Sequence, residues 1–415
     1  MPEVAEKTPL RPVLQVELQH PLEWLVFLEL ERVLITFGTR PEAIKMAPVV
    51  HELRKAGLAE TKVCVTAQHR HMLDQVLGLF TIKPDFDLDL MKPDQNLVDL
   101  TAGVLCRMRD LYNQWRPDLV LVQGDTTTTF AASLAAFYAN IPVGHVEAGL
   151  RTGNKYAPWP EEINRSLTGI LTHFHFAPTE RARQNLLAEG VKPQSIVVTG
   201  NTVIDALREI VCRFQTDRQL TLALQQQFAY LNPDRRLVLV TGHRRESFGL
   251  GFERICRALR RLAERHDVEI IYPVHLNPNV QQPVRRILGG VNNIHLVEPQ
   301  EYLPFTFLMQ RSYLIITDSG GIQEEAPFLG KPVLLMRDTT ERPEAVEAGI
   351  VKVVGTQVET ILEETNRLLD DRQAYLSMAR ASNPFGDGFA AKRIVEFLRL
   401  NWASKAMGAA IAQAQ

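Results

Sequence analysis

Short apolar runs rich in β-branched residues recur from residue 32 onward: "RVLITF", "KVCVTA", "DLVLVQ", "IPVGHVE", "FHFAP", "SIVVTG", "RLVLVTG", "EIIYPV", "NIHLVE", "YLIIT" and "PVLLMR". Each is too short and too uniformly apolar for a strand with one face in water. Between them lie stretches with helical patterning. Strands of this kind, separated by helices, predict parallel sheets buried on both faces. About ten such units exceed what one open sheet holds comfortably. Two doubly wound domains are therefore expected, which suits 415 residues at about 100–200 residues per domain.

Polar punctuation falls just after the runs: "FGTRPE", "QGDTTTT", "VEAGLRT", "TGNTVID", "TGHRRES" and "TDSGG". Open parallel sheets bind ligands beyond the carboxyl ends of their strands. The chemistry is thus expected in a cleft between two facing sheets. The formal net charge of −2, with both signs interspersed, argues against a broad nucleic-acid footprint and leaves room for local basic sites. Four dispersed cysteines without a CxxC pair argue against a disulfide framework and suit a reducing cytosol. Residues 1–31 match neither a secretory signal nor a membrane span and read as an N-terminal extension.

In "TDSGGIQEEA", a strand end meets a Gly-Gly turn and a helix start. The N–H groups of Ser319, Gly320 and Gly321 suit phosphate oxygens. The acids one turn later, Glu324 and Glu325, would repel an anion unless they face something else, such as the hydroxyls of a ribose. "TGHRRESFG" offers His243, Arg244 and Arg245 to a diphosphate, and "FGTRPEAIKMAP" offers Arg40 and Lys45. Loops after successive runs supply Asp125, Glu147, Glu161 and Glu162. Carboxylates enclosed in a cleft can act as general acids or bases, although Asp125 alone would also serve as a helix cap. The pairs His69/His71 and His173/His175 lack the partners of a metal site, and no metal is expected. GxGxxG, GxSxG and P-loop spacings are absent, so no bound cofactor is expected either.

Taken together, "FGTRPEAIKMAP", "TAQHRHMLDQ", "VQGDTTTTFAASLAAFY", "IPVGHVEAGLRTGN", "PWPEEINR", "VTGNTVIDAL", "TGHRRESFG", "YPVHLNPNV" and "TDSGGIQEEAPFLGKPVLLMRDTTERPE" resemble the non-hydrolysing UDP-N-acetylglucosamine 2-epimerases, in order from about residue 32 to about 400. The resemblance implies a GT-B fold of two Rossmann-like domains, 32–200 and 201–388, with a helix near 389–403 crossing back onto the first. It also implies reversible conversion of UDP-N-acetylglucosamine to UDP-N-acetylmannosamine, which feeds surface polysaccharides. The C2 proton of this sugar is not alpha to a carbonyl. The implied route is anti elimination of UDP to 2-acetamidoglucal followed by syn re-addition.

By motif, Asp125, Glu147 and Glu161 are the implied catalytic carboxylates, with His243 beside the diphosphate. Which carboxylate serves which face stays open. Arg40, Lys45, Arg342 and the Ser319-Gly320-Gly321 turn are the implied UDP contacts, and Glu325 the implied ribose ligand. The resemblance further implies a cytoplasmic homodimer and a second UDP-N-acetylglucosamine acting as activator, with Gln68 and Arg70 as candidates to bind it. His71 stands where the family pattern has Glu or Gln, so activation is expected to respond to pH near the ordinary imidazole value. A hydrolysing epimerase and a GT-B glycosyltransferase are the alternatives.

Overall fold

The structure, a computed structural model, describes residues 30–67, 70–90 and 96–413, with side chains except at 70, 71 and 403–413. The expectations for residues 1–29, Gln68 and the side chains of Arg70 and His71 lie outside the described residues. Among the described residues, strands β1 (Arg32–Phe37), β2 (Glu60–Val65), β3 (Phe86–Asp87), β4 (Leu119–Gln123), β5 (Val143–Val146), β6 (Phe174–Ala177) and β7 (Ile196–Val198) form one sheet. Strands β8 (Arg236–Thr241), β9 (Val268–Pro273), β10 (Ile294–Val297), β11 (Leu314–Thr317), β12 (Val333–Leu335) and β13 (Val351–Val353) form the other.

Every pairing is parallel, in the orders β3-β2-β1-β4-β5-β6-β7 and β10-β9-β8-β11-β12-β13. This is the GT-B arrangement of two doubly wound units. The apolar runs became strands because helices cover both faces; all five residues of β4 are buried, as are four of six in β8. Two strands had no run to announce them, β3 and β13. Both are edge strands of two or three residues, and the polar alternation of "DFDLDL" hides the first.

In each sheet the strand order reverses at one place, between β1 and β4 and between β8 and β11. Helices on the two sides leave in opposite directions there, opening a crevice at the strand ends. Arg40 follows β1, Asp125 follows β4, His243 follows β8 and Ser319 follows β11. The anion-binding and acidic motifs thus sit at the two switch points.

One apolar cluster joins the halves, running from Val49 and Leu53 through Val203, Leu207 and Ile210 of the helix Thr202–Thr216 to Phe307 and Ile315. The last helix, Ala390–Gln413, lies against the helix Arg40–Ala56. Phe397 from this helix meets Phe174 and Phe176 of β6 edge-on, with ring centroids 5.8 Å apart in each case. Asp205 caps its start, accepting N–H bonds from Ala390 (3.1 Å) and Ala391 (2.8 Å). No helix among the described residues is long and apolar enough to cross a membrane.

Candidate active site in the cleft

The loop after β1 is fixed by Glu42, the third residue of the helix Arg40–Ala56. Its carboxylate takes the backbone N–H groups of Gly38 (3.1 Å) and Thr39 (2.7 Å), closing a capping box. Its other oxygen accepts the hydroxyls of Thr126 (2.7 Å) and Thr129 (3.2 Å), which tie in the loop after β4. Gly38 is required here because a Cβ would lie 2.2 Å from the Thr66 hydroxyl oxygen. The two loops bearing Arg40, Lys45 and Asp125 are therefore one locked unit.

Lys45 reaches out of that unit into the centre of the cleft. Its ammonium lies 2.5 Å from Glu147 Oε2, after β5, and 3.6 Å from Glu324 Oε2, in the second half of the chain. Glu324 is also paired with Arg342 through Oε1 and accepts a hydrogen bond from Asn201 Nδ2 at 3.1 Å. Gln123, the last residue of β4, donates to Glu147 at 2.9 Å. Two cations and two carboxylates thus form a buried, charge-balanced set spanning both sheets.

Burial pushes the Glu147 carboxyl up despite the neighbouring Lys45, and repulsion from Glu324 adds to it. Burial acts on Glu324 too, but Lys45 and Arg342 together outweigh it and hold that carboxyl down. Burial would lower Lys45, yet the two carboxylates more than offset it and push the ammonium up. Glu147 is therefore the more basic of the two acids. Its backbone is left-handed, φ 66°, an uncommon conformation for a residue with a Cβ and one that gathers at functional sites.

The other acids divide by partner. Asp125 is bound by Arg165 at 2.5 Å, and Arg165 also reaches Glu162 at 3.3 Å. Glu162 accepts the N–H groups of Thr152 and Gly153, so its carboxylate holds a loop. Glu161 differs: its Oε2 is enclosed without a hydrogen-bond partner among the described residues.

On the second sheet, Asp318 receives the backbone N–H groups of His243 (2.7 Å) and Arg244 (2.8 Å) and faces His243 Nδ1 at 3.1 Å. Burial would raise Asp318, but these bonds and the imidazole outweigh it and lower the carboxyl. The approach is a close polar contact between the imidazole and Asp318 Oδ1, an oxygen with no hydrogen-bond partner among the described residues. Arg244 comes within 3.8 Å of where a Cβ on Gly320 would stand. The same construction at Gly321 lies 3.9 Å from Glu325 and 4.0 Å from the Ser319 hydroxyl. The Ser-Gly-Gly turn, Arg244 and Glu325 thus share one spot.

Glu325 is buried and accepts the Tyr302 hydroxyl at 2.6 Å; burial pushes its carboxyl up to about 7. Arg40 shares a cavity wall with Tyr302, Glu301 and Leu79. Adjacent Glu324 and Glu325 diverge because successive helical side chains point about 100° apart, one to the cation pair and one to Tyr302.

The structure brings Lys45, Glu147 and Arg342 into one cluster, and His243, Ser319, Gly320, Gly321 and Glu325 into another. Asp125 and Glu161 sit on adjoining segments, since Asn164 of the helix Glu161–Leu171 donates to the Asp125 carbonyl at 3.0 Å. Sequence reasoning missed Gln123, Arg165, Asn201, Tyr302 and Asp318 as partners. It also left Glu324 without a role. The last residue of β4 and the Asp of "TDSGG" were readable as strand-end positions; the others announce themselves only through the fold.

The sequence model of the UDP-N-acetylglucosamine 2-epimerase family matches residues 51–399. The Escherichia coli K12 UDP-N-acetylglucosamine 2-epimerase is 60% identical over 371 residues, 89% of this chain and 99% of the relative. The crystal structure of the Neisseria meningitidis UDP-GlcNAc 2-epimerase bound to UDP-GlcNAc is 53% identical, with a TM-score of 0.83 over 89% of this chain and 100% of that one. The Methanocaldococcus jannaschii UDP-GlcNAc 2-epimerase in complex with UDP-GlcNAc and UDP is 32% identical, with a TM-score of 0.73 over 89% and 99%. The chain belongs to the UDP-N-acetylglucosamine 2-epimerase family.

Proposed function

We propose that the protein interconverts UDP-N-acetylglucosamine and UDP-N-acetylmannosamine without net hydrolysis. The observation that carries this reading is the Lys45 bridge between Glu147 on one half and Glu324 on the other. A cleft closed by a neutral buried set can hold a reactive intermediate away from water. A carboxylate made more basic by burial is suited to remove a proton from carbon near neutral pH.

In the proposed sequence, UDP rests on the Ser319-Gly320-Gly321 turn, with Glu325 taking the ribose hydroxyls. Arg40, His243 and Arg342 carry charge on the diphosphate. A carboxylate among Asp125, Glu147 and Glu161 takes the C2 proton while the C1–O bond breaks anti to it. The electron pair of C2–H becomes the C1=C2 bond of 2-acetamidoglucal, and UDP leaves with the C1–O pair. Return delivers a proton to the opposite face of C2 as the UDP oxygen re-forms the bond to C1. Cations and N–H groups aimed at the departing diphosphate lower the barrier in both directions.

We place the enzyme in the cytoplasm as a supplier of surface-polysaccharide precursors, with units 32–200 plus 389–403 and 201–388. Its substrate also serves as a candidate activator, and the enzyme is proposed to be a homodimer. Exposed Phe137, Tyr138, Ile163, Leu167 and Ile170, on two packed helices, give a second copy an apolar face to cover. A proton NMR time course of purified enzyme with UDP-N-acetylglucosamine tests the reaction. UDP-N-acetylmannosamine is expected, whereas accumulation of free N-acetylmannosamine and UDP would refute the non-hydrolysing reading.

A further inference from the structure

Two histidines take no part in the chemistry above, yet both are wholly enclosed beneath it. His145 on β5 and His175 on β6 are register partners on adjacent parallel strands. His145 Nε2 lies 2.7 Å from the carbonyl oxygen of Gly124, the residue before Asp125. His175 Nε2 lies 3.1 Å from the carbonyl oxygen of Gly169, in the helix that begins with Glu161 and carries Arg165. A carbonyl oxygen can only accept, so each Nε2 carries the hydrogen. A neutral His145 ring then carries no hydrogen on Nδ1, and that atom has no partner among the described residues.

We propose that His145 and His175 are a pair of neutral, Nε2-protonated positioning residues that set the separation of the Asp125 loop from the Glu161 helix. The inference rests on the proposed roles of Asp125 and Glu161. Gly124 has φ 73° and its N–H is held by the Val146 carbonyl at 3.0 Å, so the turn before Asp125 is pinned from both sides by β5. The carboxylate of Asp125 is then bound by Arg165 from the His175-anchored helix at 2.5 Å. Two imidazoles fixed to each other by strand register thus fix two carboxylate-bearing segments. The surroundings favour a neutral ring at His145: burial holds it down to about 3, and His175, Arg151 and Arg165 are the charged or titratable neighbours that act in the same direction.

Two measurements test this. In long-range proton–nitrogen NMR of histidine-labelled protein, two rings are expected as the Nε2–H tautomer, unchanged between pH 6 and 8. Titration of these rings in that range, or an Nδ1–H tautomer, overturns the proposal. The second measurement compares H145L, which has no donor, with H145Q, whose amide can still donate to the Gly124 carbonyl. H145L is expected to lose about tenfold to 100-fold in kcat, with KM and the Kd for UDP held within twofold, and H145Q to recover most of the loss. Equal losses in both variants, or a loss in UDP affinity parallel to kcat, would make the histidines merely structural. If H145L does not fold, the same comparison of H175L with H175Q decides. A wild-type protein that fails to turn over would sink the functional reading, and the tautomer measurement alone would then judge the pair.

Discussion

Substituting Glu325 by Gln should make the protein without nucleotide more stable at high pH and a poorer binder of UDP. Burial moves this carboxyl from 4.5 to about 7. The folded state therefore holds a proton that the unfolded chain has released between pH 4.5 and 7. Stability contributed by this group is fully present below the unfolded value, falls through that window and levels off above the folded value. At about 1.4 kcal/mol per pH unit, ionised Glu325 costs the unliganded protein about 3 kcal/mol at pH 8. Gln keeps the oxygen that accepts the Tyr302 hydroxyl and removes the charge. Urea denaturation at pH 5 and pH 8 should show the E325Q-minus-wild-type difference growing by about 2–3 kcal/mol. Any loss from an unpaired amide N–H is the same at both pH values, so the growth is the test. In the same protein the Kd for UDP should rise about 10–100-fold, because charge-assisted bonds to the ribose are worth roughly 1.5–3 kcal/mol. A stability difference independent of pH, or unchanged UDP affinity, would refute the reasoning.

Replacing Glu147 by Gln keeps its size and should lower kcat about 10²–10⁴-fold while UDP still binds, as turnover and calorimetry would record. Lys45→Met leaves Glu147 and Glu324 facing each other without their shared cation and should destabilise the fold by about 3–5 kcal/mol in urea. Adding Glu147→Gln to that variant preserves the Glu324–Arg342 pair and should recover much of the loss, because neighbouring sites do not add independently. Ile170→Asp, at a position 80% exposed, should shift sedimentation toward the monomer if this face joins two copies.

The sequence disclosed the sheets because burial on both faces leaves uninterrupted apolar runs, and eleven such runs lie on strands. It disclosed the strand-end loops because their residues, Asp125, His243 and Ser319 among them, are polar where the runs stop. It could not disclose pairing across the cleft. Lys45 and Glu324 are separated by most of the chain, and nothing local says they meet at 3.6 Å. Nor could it tell Glu324 from Glu325, because that difference is a rotation about a helix axis. Glu162 read like its neighbour Glu161, yet the fold turns one to backbone N–H groups and leaves an oxygen of the other without a hydrogen-bond partner among the described residues. His175 stood out only as half of a pair too poor in partners to hold a metal, and His145 not at all, because a buried imidazole donating to a carbonyl has no sequence signature.

The central claim is that C2 loses its proton as UDP leaves C1. Running the reaction in heavy water tests it most directly. Deuterium is expected at C2 of UDP-N-acetylmannosamine, seen by proton NMR as loss of the C2–H signal, with the nucleotide still attached. Product formed with its C2 hydrogen carried over from the substrate would contradict elimination and re-addition and remove the role given to the carboxylates.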